Sequence, residues 1–432
     1  MNKNSVMKQC LITGMALFSV FFGAGNLIFP PYLGVESGPN WLAFIMFLVA
    51  DVAIAILGIL SSSRRPEIKM SVLWRAGKPL YYALSFPIAM LMIVVPRTCA
   101  TAYELAIRPF FPNCPPIVFS LIFFGALVIL SIRPSKVLDN LGKYLTPVLL
   151  VCLGIVIVVG LINPLGPVAD APQIDNLVAE GVIQGYQTFD GLGGPFCTMF
   201  VVASIVAAGF KETKQQQDII FKGGLVAGVL LAIVYGGLFI LGQHMSTEFT
   251  PDVEQTTLLV TIIKRLLGTP GMLIFGVAVA LACLTTAIGV SSGGCQMFTK
   301  YTKEKVRYEW FVFLFAGVGV IFSIVGVSKL LKYAVPFLVI VFPCFITLFI
   351  LSLFTDKIKS DNAFIFATVT AIVCSVGKLL GISFFANLPG SNLMIGWAIP
   401  TAIAAVIGYF VPSKHHRDPH YEELWGNKEA KK

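Results

Sequence analysis

The sequence is a succession of helix-length apolar runs joined by short polar segments, and this restricts it to a bundle of membrane-spanning helices. A helix needs about 20 mostly apolar residues to cross a bilayer. Lipid offers no water to backbone groups, so only helices and closed barrels can span it. These runs do not alternate apolar and polar residues, which excludes a barrel. Charged residues make up 12% of the 432, against about 25% in soluble domains. A packed soluble core has no use for so many apolar runs.

Twelve spans are expected, at about 9–33, 40–60, 79–106, 115–132, 144–163, 184–208, 220–242, 270–292, 309–328, 333–354, 363–385 and 391–411. Two connections are longer. Residues 164–183 carry Asp170, Asp175 and Glu180 and no Lys or Arg; residues 243–269 hold the apolar stretch Leu258 to Leu267, predicted to be a short helix over the outer face. With the N-terminus inside, 24 of the 31 Lys and Arg residues fall on the cytoplasmic side, from Lys3 and Lys8 through the 64–78 segment to the C-terminal tail. That asymmetry places both termini in the cytoplasm. It also explains the net charge of +9 without nucleic acid, because the basic residues sit in short loops between apolar runs. The nine cysteines lie mostly inside the runs, as Cys152, Cys197, Cys283 and Cys374 do, and read as small apolar residues. The first apolar run leads straight into the next, unlike a cleaved signal peptide.

Two runs are interrupted. The first contains Phe21-Phe22-Gly23-Ala24-Gly25-Asn26-Leu27-Ile28-Phe29-Pro30-Pro31, and the sixth contains Thr188-Phe189-Asp190-Gly191-Leu192-Gly193-Gly194-Pro195. Glycine weakens a helix and proline removes a backbone donor. In a membrane such a break is tolerated where it is buried in protein or lines a cavity. The breaks open two five-span blocks, as in inverted-repeat transporters whose half-helix ends form a midplane site. A half-helix N-terminus suits an anion, and unwound carbonyls suit a cation. The competing reading, that these glycines only permit close helix packing, weighs about evenly against either break alone and less against the pair.

At these residues the chain resembles the branched-chain amino acid:cation symporters, the BrnQ-type carriers. The matching runs are Leu11-Ile12-Thr13-Gly14 followed by Phe21 to Pro31; Pro96-Arg97-Thr98 with Glu104; Gly185-Tyr186-Gln187-Thr188-Phe189-Asp190; and Leu284-Thr285-Thr286-Ala287-Ile288-Gly289. The resemblance implies uptake of leucine, isoleucine and valine with sodium or protons, in a bacterial inner membrane. It also implies an all-α, LeuT-like fold: one repeat at about 9–163, a second at about 184–354, two further helices at about 363–411 and a tail at 412–432. Two features depart from the family: the glycine-rich Gly191 to Pro195, and Asp51, which lies in a span expected to be uncharged.

The expected substrate site is Phe22, Gly23, Ala24, Gly25, Asn26, Thr188, Phe189, Asp190 and Gly191, with the amides of Gly25 and Asn26 on the carboxylate. By resemblance to LeuT-type sites, sodium would meet the carbonyls of Ser19, Phe22 and Ala282 and the hydroxyls of Thr285 and Thr286. The competing reading for the threonines is a bond to their own helix. Arg97, Glu104 and Asp190 are the coupling candidates. Arg97 and Glu104 are expected to share a helix face, as an ion pair or in function, and Asp190 meets the substrate ammonium, carries a proton or caps its half-helix. Asp51 and Lys378 are given no role beyond pairing or snorkelling. His244, His415, His416 and His420 fall in loops or the tail.

The rival classes are a membrane-embedded enzyme, a channel, and a permease for another apolar amino acid such as methionine. No nucleophile–base pair, HExxH or phosphate loop supports an enzyme, and no repeated selectivity element supports a channel. No cofactor is expected, the partners are a small amino acid and the bilayer, and no feature specifies an oligomeric state.

Overall fold

The computed structural model describes residues 3–63, 90–132, 150–210, 212–302, 304–354, 357–358 and 360–412. Their secondary structure is helical, joined by turns and loops, with no strand among the described residues. The first run forms α1 (Lys3–Phe21) and α2 (Ala24–Ser37). The second forms α3 (Leu42–Leu48), a π turn at Val49–Ala53 and α4 (Ile54–Ser63). The third gives α5 (Val95–Ala102) between π turns at Met90–Val94 and Tyr103–Ile107. Then come α6 (Pro116–Ile132) and α7 (Leu150–Ile162).

The sixth run forms α8 (Leu177–Thr188) and α9 (Asp190–Ala207), and Asn176 caps α8 by accepting from Ala179 N at 3.0 Å. The remaining elements are α10 (Thr213–Gln243), α11 (Gln255–Tyr301), α12 (Tyr308–Ser323), α13 (Val327–Leu353), α14 (Asp361–Leu379), the short α15 (Ser383–Ala386) and α16 (Ala398–Phe410).

Among the described residues, five helices are individually long and apolar enough to cross a membrane. The expected count of twelve is not met by length alone, for physical reasons. The first and sixth runs are each divided, into helices of 19 and 14 residues and of 12 and 18. Parts of the third and fifth runs lie outside the described residues. The last span starts later than expected, because Gly390 and Met394 are left-handed (φ 80 and 61) and the helix begins only at Ala398. The predicted outer helix is the first arm of α11, which kinks at Gly268 (φ 66, ψ −168) ahead of Pro270. Much of the basic set behind the orientation lies outside the described residues: Arg64, Arg65, Lys69, Arg75, Lys78, Arg133, Lys136, Lys143, Lys211, Lys303, Lys359 and the tail, with His415, His416 and His420.

The breaks sit where the helices cross. Helices α1 and α2 both pack along α10, α8 packs on α3, and α9 on α4, while α2 meets α8 and α1 meets α9. The α3–α4 contacts need small residues. A Cβ on Gly181 would fall 2.2 Å from Ala43 O, and one on Gly194 would fall 2.5 Å from Ala55 O. Close packing therefore accounts for part of the glycine content of the sixth run, alongside its break.

Candidate functional site

The first break is set by backbone bonding. The Phe22 N–H reaches Phe18 O at 2.8 Å, but the Gly23 N–H turns back to Phe21 O at 3.0 Å and the ladder ends. Gly23 is extended (φ −108, ψ −179), and α2 starts at the next residue. The Asn26 N–H donates to Gly23 O at 3.2 Å, closing the first turn of α2. That amide is therefore engaged, which revises the expectation that it meets a carboxylate. The neighbour at Gly25 is Arg97: a Cβ there would lie 2.9 Å from Nη2 and 3.2 Å from Cζ.

The second break turns on Phe189, a left-handed residue (φ 69, ψ 3) between α8 and α9. For a residue with a side chain that conformation costs about 1–2 kcal/mol. The surroundings hold it: Phe189 is buried, with its ring centroid 5.4 Å from Arg97 Cζ, and Phe29 lies on the same guanidinium at 5.9 Å. Arg97 Nη1 donates to Gln187 O in the last turn of α8, placing a cation at a half-helix C-terminus. Arg97 is buried, and its Nε and the Oε1 of Gln187 have no hydrogen-bond partner.

A polar cluster links the breaks. Asn26 Nδ2 donates to Phe21 O at 2.9 Å, to Asp190 Oδ2 at 2.7 Å and to Tyr235 Oη on α10 at 2.5 Å. The Thr188 hydroxyl contacts Asp51 Oδ1 and Gly185 O, each at 2.7 Å, and accepts from Asp190 N at 3.3 Å. Asp51 is fully buried in its π turn, and its carboxyl lies against that of Asp190 and the Tyr235 hydroxyl. Arg97 acts electrostatically on Asp190. Single π turns are frequent at functional sites, and this one aims Asp51 at the second break.

Among the expected residues, Phe22, Asn26, Thr188, Phe189, Asp190 and Arg97 converge here. Phe22 stacks on Phe18 (5.2 Å) and Tyr235 (6.2 Å). Gly191 faces Phe342 and Ile54, 2.7 and 2.9 Å from a built Cβ, so its role is packing as well as backbone. The side chains of Ser19 and Ala24 lie outside the described set. Thr285 donates to Ala282 O at 2.9 Å, the local bond weighed against sodium.

Glu104 is elsewhere. It accepts from Thr256 Oγ1 and, at 3.1 Å, from Val327 N. The π turn at Tyr103–Ile107 breaks the phase that would have put Glu104 beside Arg97. Lys378 bonds Ser391 O and Met394 Sδ, away from Asp51. Sequence reasoning missed the roles of Asp51 and Tyr235. The one available signal was an acid in an otherwise uncharged run.

The overall fold has known counterparts. Two structures of Mhp1, a nucleobase-cation-symport-1 family transporter, share it. The inward-facing form is 12% identical with a TM-score of 0.61, covering 92% of this chain and 90% of that one. The closed form with bromovinylhydantoin is 14% identical with a TM-score of 0.62, covering 92% and 91%. At such identity the likeness shows the fold alone, which is all-α and LeuT-like.

In sequence, the branched-chain amino acid permease BraB of Bacillus subtilis (strain 168) is 30% identical, covering 93% of this chain and 95% of BraB. A putative branched-chain amino acid carrier protein of Staphylococcus aureus (strain USA300) is 32% identical, covering 97% and 99%. The family model described as branched-chain amino acid transport protein matches residues 6–415. The chain therefore belongs to the branched-chain amino acid transport protein family, and is a multi-pass membrane transporter rather than an enzyme.

Proposed function

We propose that this transporter imports leucine, isoleucine and valine into a bacterial cell by symport with sodium or protons. It sits in the inner membrane with both termini cytoplasmic and works by alternating access about the crossing of its broken helices. The observation that carries the reading is the convergence of both breaks on a buried guanidinium and a buried carboxyl. Arg97, beside Gly25 at the start of α2, complements a carboxylate, and Asp190 at the start of α9 complements an ammonium. Together they match a zwitterion.

Phe22 and Phe189 provide apolar wall for an aliphatic side chain, with Gly23, Ala24, Asn26, Thr188 and Gly191 forming the surrounding backbone and polar edge. Discrimination by one methylene in such a wall is worth about 1–3 kcal/mol, so methionine is expected to compete weakly. A sodium ion would meet neutral oxygens only: the carbonyls of Ser19, Phe22 and Ala282 and the hydroxyls of Thr285 and Thr286. Sodium dependence unaltered in Thr285→Ala sinks that ligand set.

The test is uptake of labelled leucine into proteoliposomes, with and without an imposed sodium or proton gradient. Accumulation above the outside concentration is the expected result. Equilibration alone indicates a channel, and absence of flux refutes the reading.

A further inference from the structure

The Thr188 hydroxyl carries a single hydrogen, yet two oxygens, Gly185 O and Asp51 Oδ1, each lie 2.7 Å from it. Both separations are hydrogen-bond distances. The hydrogen goes naturally to Gly185 O, three residues back on the same helix, as threonine hydroxyls do. The contact to Asp51 then has no hydrogen unless Asp51 supplies one. A metal ion does not resolve this, because 2.7 Å between two oxygens leaves no room for an ion between them. On its far side the fully buried Asp51 carboxyl lies against that of Asp190, with the Tyr235 hydroxyl beside it.

We propose that Asp51 is the seat of the coupling proton: as a carboxylic acid it donates to Thr188 Oγ1, Thr188 donates to Gly185 O, and Asp190 is left as the single carboxylate facing the substrate. The inference rests on the transport function proposed above and deepens it by choosing the ion. The groups around Asp51 fit one added proton. From α9 it meets Asp190, and from α10 the Tyr235 hydroxyl. From α8 it meets Thr188, since Tyr186 stacks on Phe342 (4.0 Å) and Glu180 bonds Gln184. Neither α3 nor α4 has a titratable side chain. Among the described residues, the cation that reaches the pair is Arg97, through Asp190.

With the proton in place, Arg97 and Asp190 balance and the cluster is neutral. Without it two carboxylates face each other away from water, and the Thr188 hydroxyl turns from Gly185 O to donate to Asp51. Thr188 is the residue before the left-handed hinge at Phe189, so the proton fastens the hinge that assembles the substrate site. The proton enters from the water on one side, resides on an Asp51 oxygen and leaves to the other, so one positive charge moves with each zwitterion. Thr188 acts as a positioning residue.

The test uses the full-length protein in sodium-free proteoliposomes, reading lumenal pH and labelled leucine together. Leucine is expected to carry protons inward, and about one pH unit of gradient to support up to about a tenfold accumulation. In Asp51→Asn the amide can still donate to Thr188, so leucine counterflow stays measurable while leucine-driven proton entry and accumulation disappear. Thr188→Ser is expected to keep the wild-type pH profile of uptake, and Thr188→Val to shift it. The proposal is overturned if Asp51→Asn moves protons with leucine at the wild-type ratio. It is also overturned if the wild type exchanges leucine but accumulates it only on a sodium gradient, a result that leaves the transport function standing. If Asp51→Asn does not fold, wild-type proton flux still tests proton coupling, and the pH profiles of Thr188→Ser and Thr188→Val test its seat at Asp51: a wild-type profile in Thr188→Val overturns it. A wild type that neither binds nor exchanges leucine, isoleucine or valine removes the functional reading itself, and this inference with it.

Discussion

The guanidinium of Arg97 on α5 donates to the carbonyl of Gln187 at the end of α8, and so ties the third apolar run to the second broken helix. The same group abuts Gly25 on the first broken helix. One buried cation thus touches both breaks. Its planar fork can do this, whereas a lysine ammonium presents a point charge to one partner at a time. Arg97→Lys is expected to lower leucine uptake at least about tenfold. The loss in stability should be about 1.5–3 kcal/mol, the range for hydrogen bonds to charged groups. Uptake assays beside thermal unfolding in detergent check this; uptake at the wild-type rate in the lysine variant would show that the fork is not needed.

The glycines at the two breaks do different work, and alanine scanning separates them. At Gly194 a Cβ meets Ala55 O, a backbone atom on α4 that cannot yield cheaply. Gly194→Ala is expected to cost about 1–3 kcal/mol through overpacking, with substrate affinity unchanged in the protein that survives. At Gly25 the Cβ meets the end of the Arg97 side chain and the edge of Phe29, 3.2 Å away. Gly25→Ala is expected to weaken leucine binding while unfolding near the wild-type temperature. Calorimetric titration and unfolding curves on both variants give the comparison, and equal effects from the two substitutions would contradict it.

These contrasts mark how far the sequence could be read. The helical membrane architecture was legible because lipid forces each apolar run to satisfy its own backbone. The breaks were legible because glycine and proline act locally. The π turns were not, since nothing in Val49 to Ala53 or Tyr103 to Ile107 distinguishes them from ordinary helix. Their effect was to mislead on Glu104 and to hide Asp51. The sequence paired Arg97 with Glu104 by helical phase, but the turn at Tyr103–Ile107 shifts that phase. Asp51 gained meaning only when folding set it against Thr188, 137 residues away in the chain.

Tyr235 tests whether the polar cluster depends on its third wall. Its hydroxyl accepts from Asn26 Nδ2, which also serves Asp190. An amide nitrogen has two hydrogens for the three acceptors around it, so Asn26 divides its donation among them. Tyr235→Phe removes one acceptor of Asn26, which keeps Phe21 O and Asp190, and removes the hydroxyl beside Asp51. The ring remains to stack on Phe22 and Phe47, whose centroids lie 6.2 and 5.6 Å away. Stability is expected to change by no more than about 1 kcal/mol, and the pH profile of leucine uptake to shift. An unshifted profile would separate Tyr235 from the coupling cluster.

Glu104 is expected to hold the first arm of α11 and the start of α13 together rather than to carry an ion. Its two oxygens take the Thr256 hydroxyl from the first arm of α11 and the Val327 N–H from the first turn of α13. The second contact satisfies one of the donors that every helix N-terminus leaves open. The nearby pair of Arg108 and Glu254 is 3.6 Å apart and half exposed, so it adds little. Removing the carboxylate in Glu104→Ala strands both donors, a loss of about 1–3 kcal/mol. Glu104→Gln keeps an oxygen for Val327 and an amide group for Thr256, and loses less. Loosening of the first arm is read as faster tryptic cleavage after Lys264 and Arg265, residues that otherwise sit in a folded helix. Both variants are expected to retain the wild-type dependence of uptake on pH and sodium. An altered ion dependence at unchanged cleavage rate would return Glu104 to the coupling machinery.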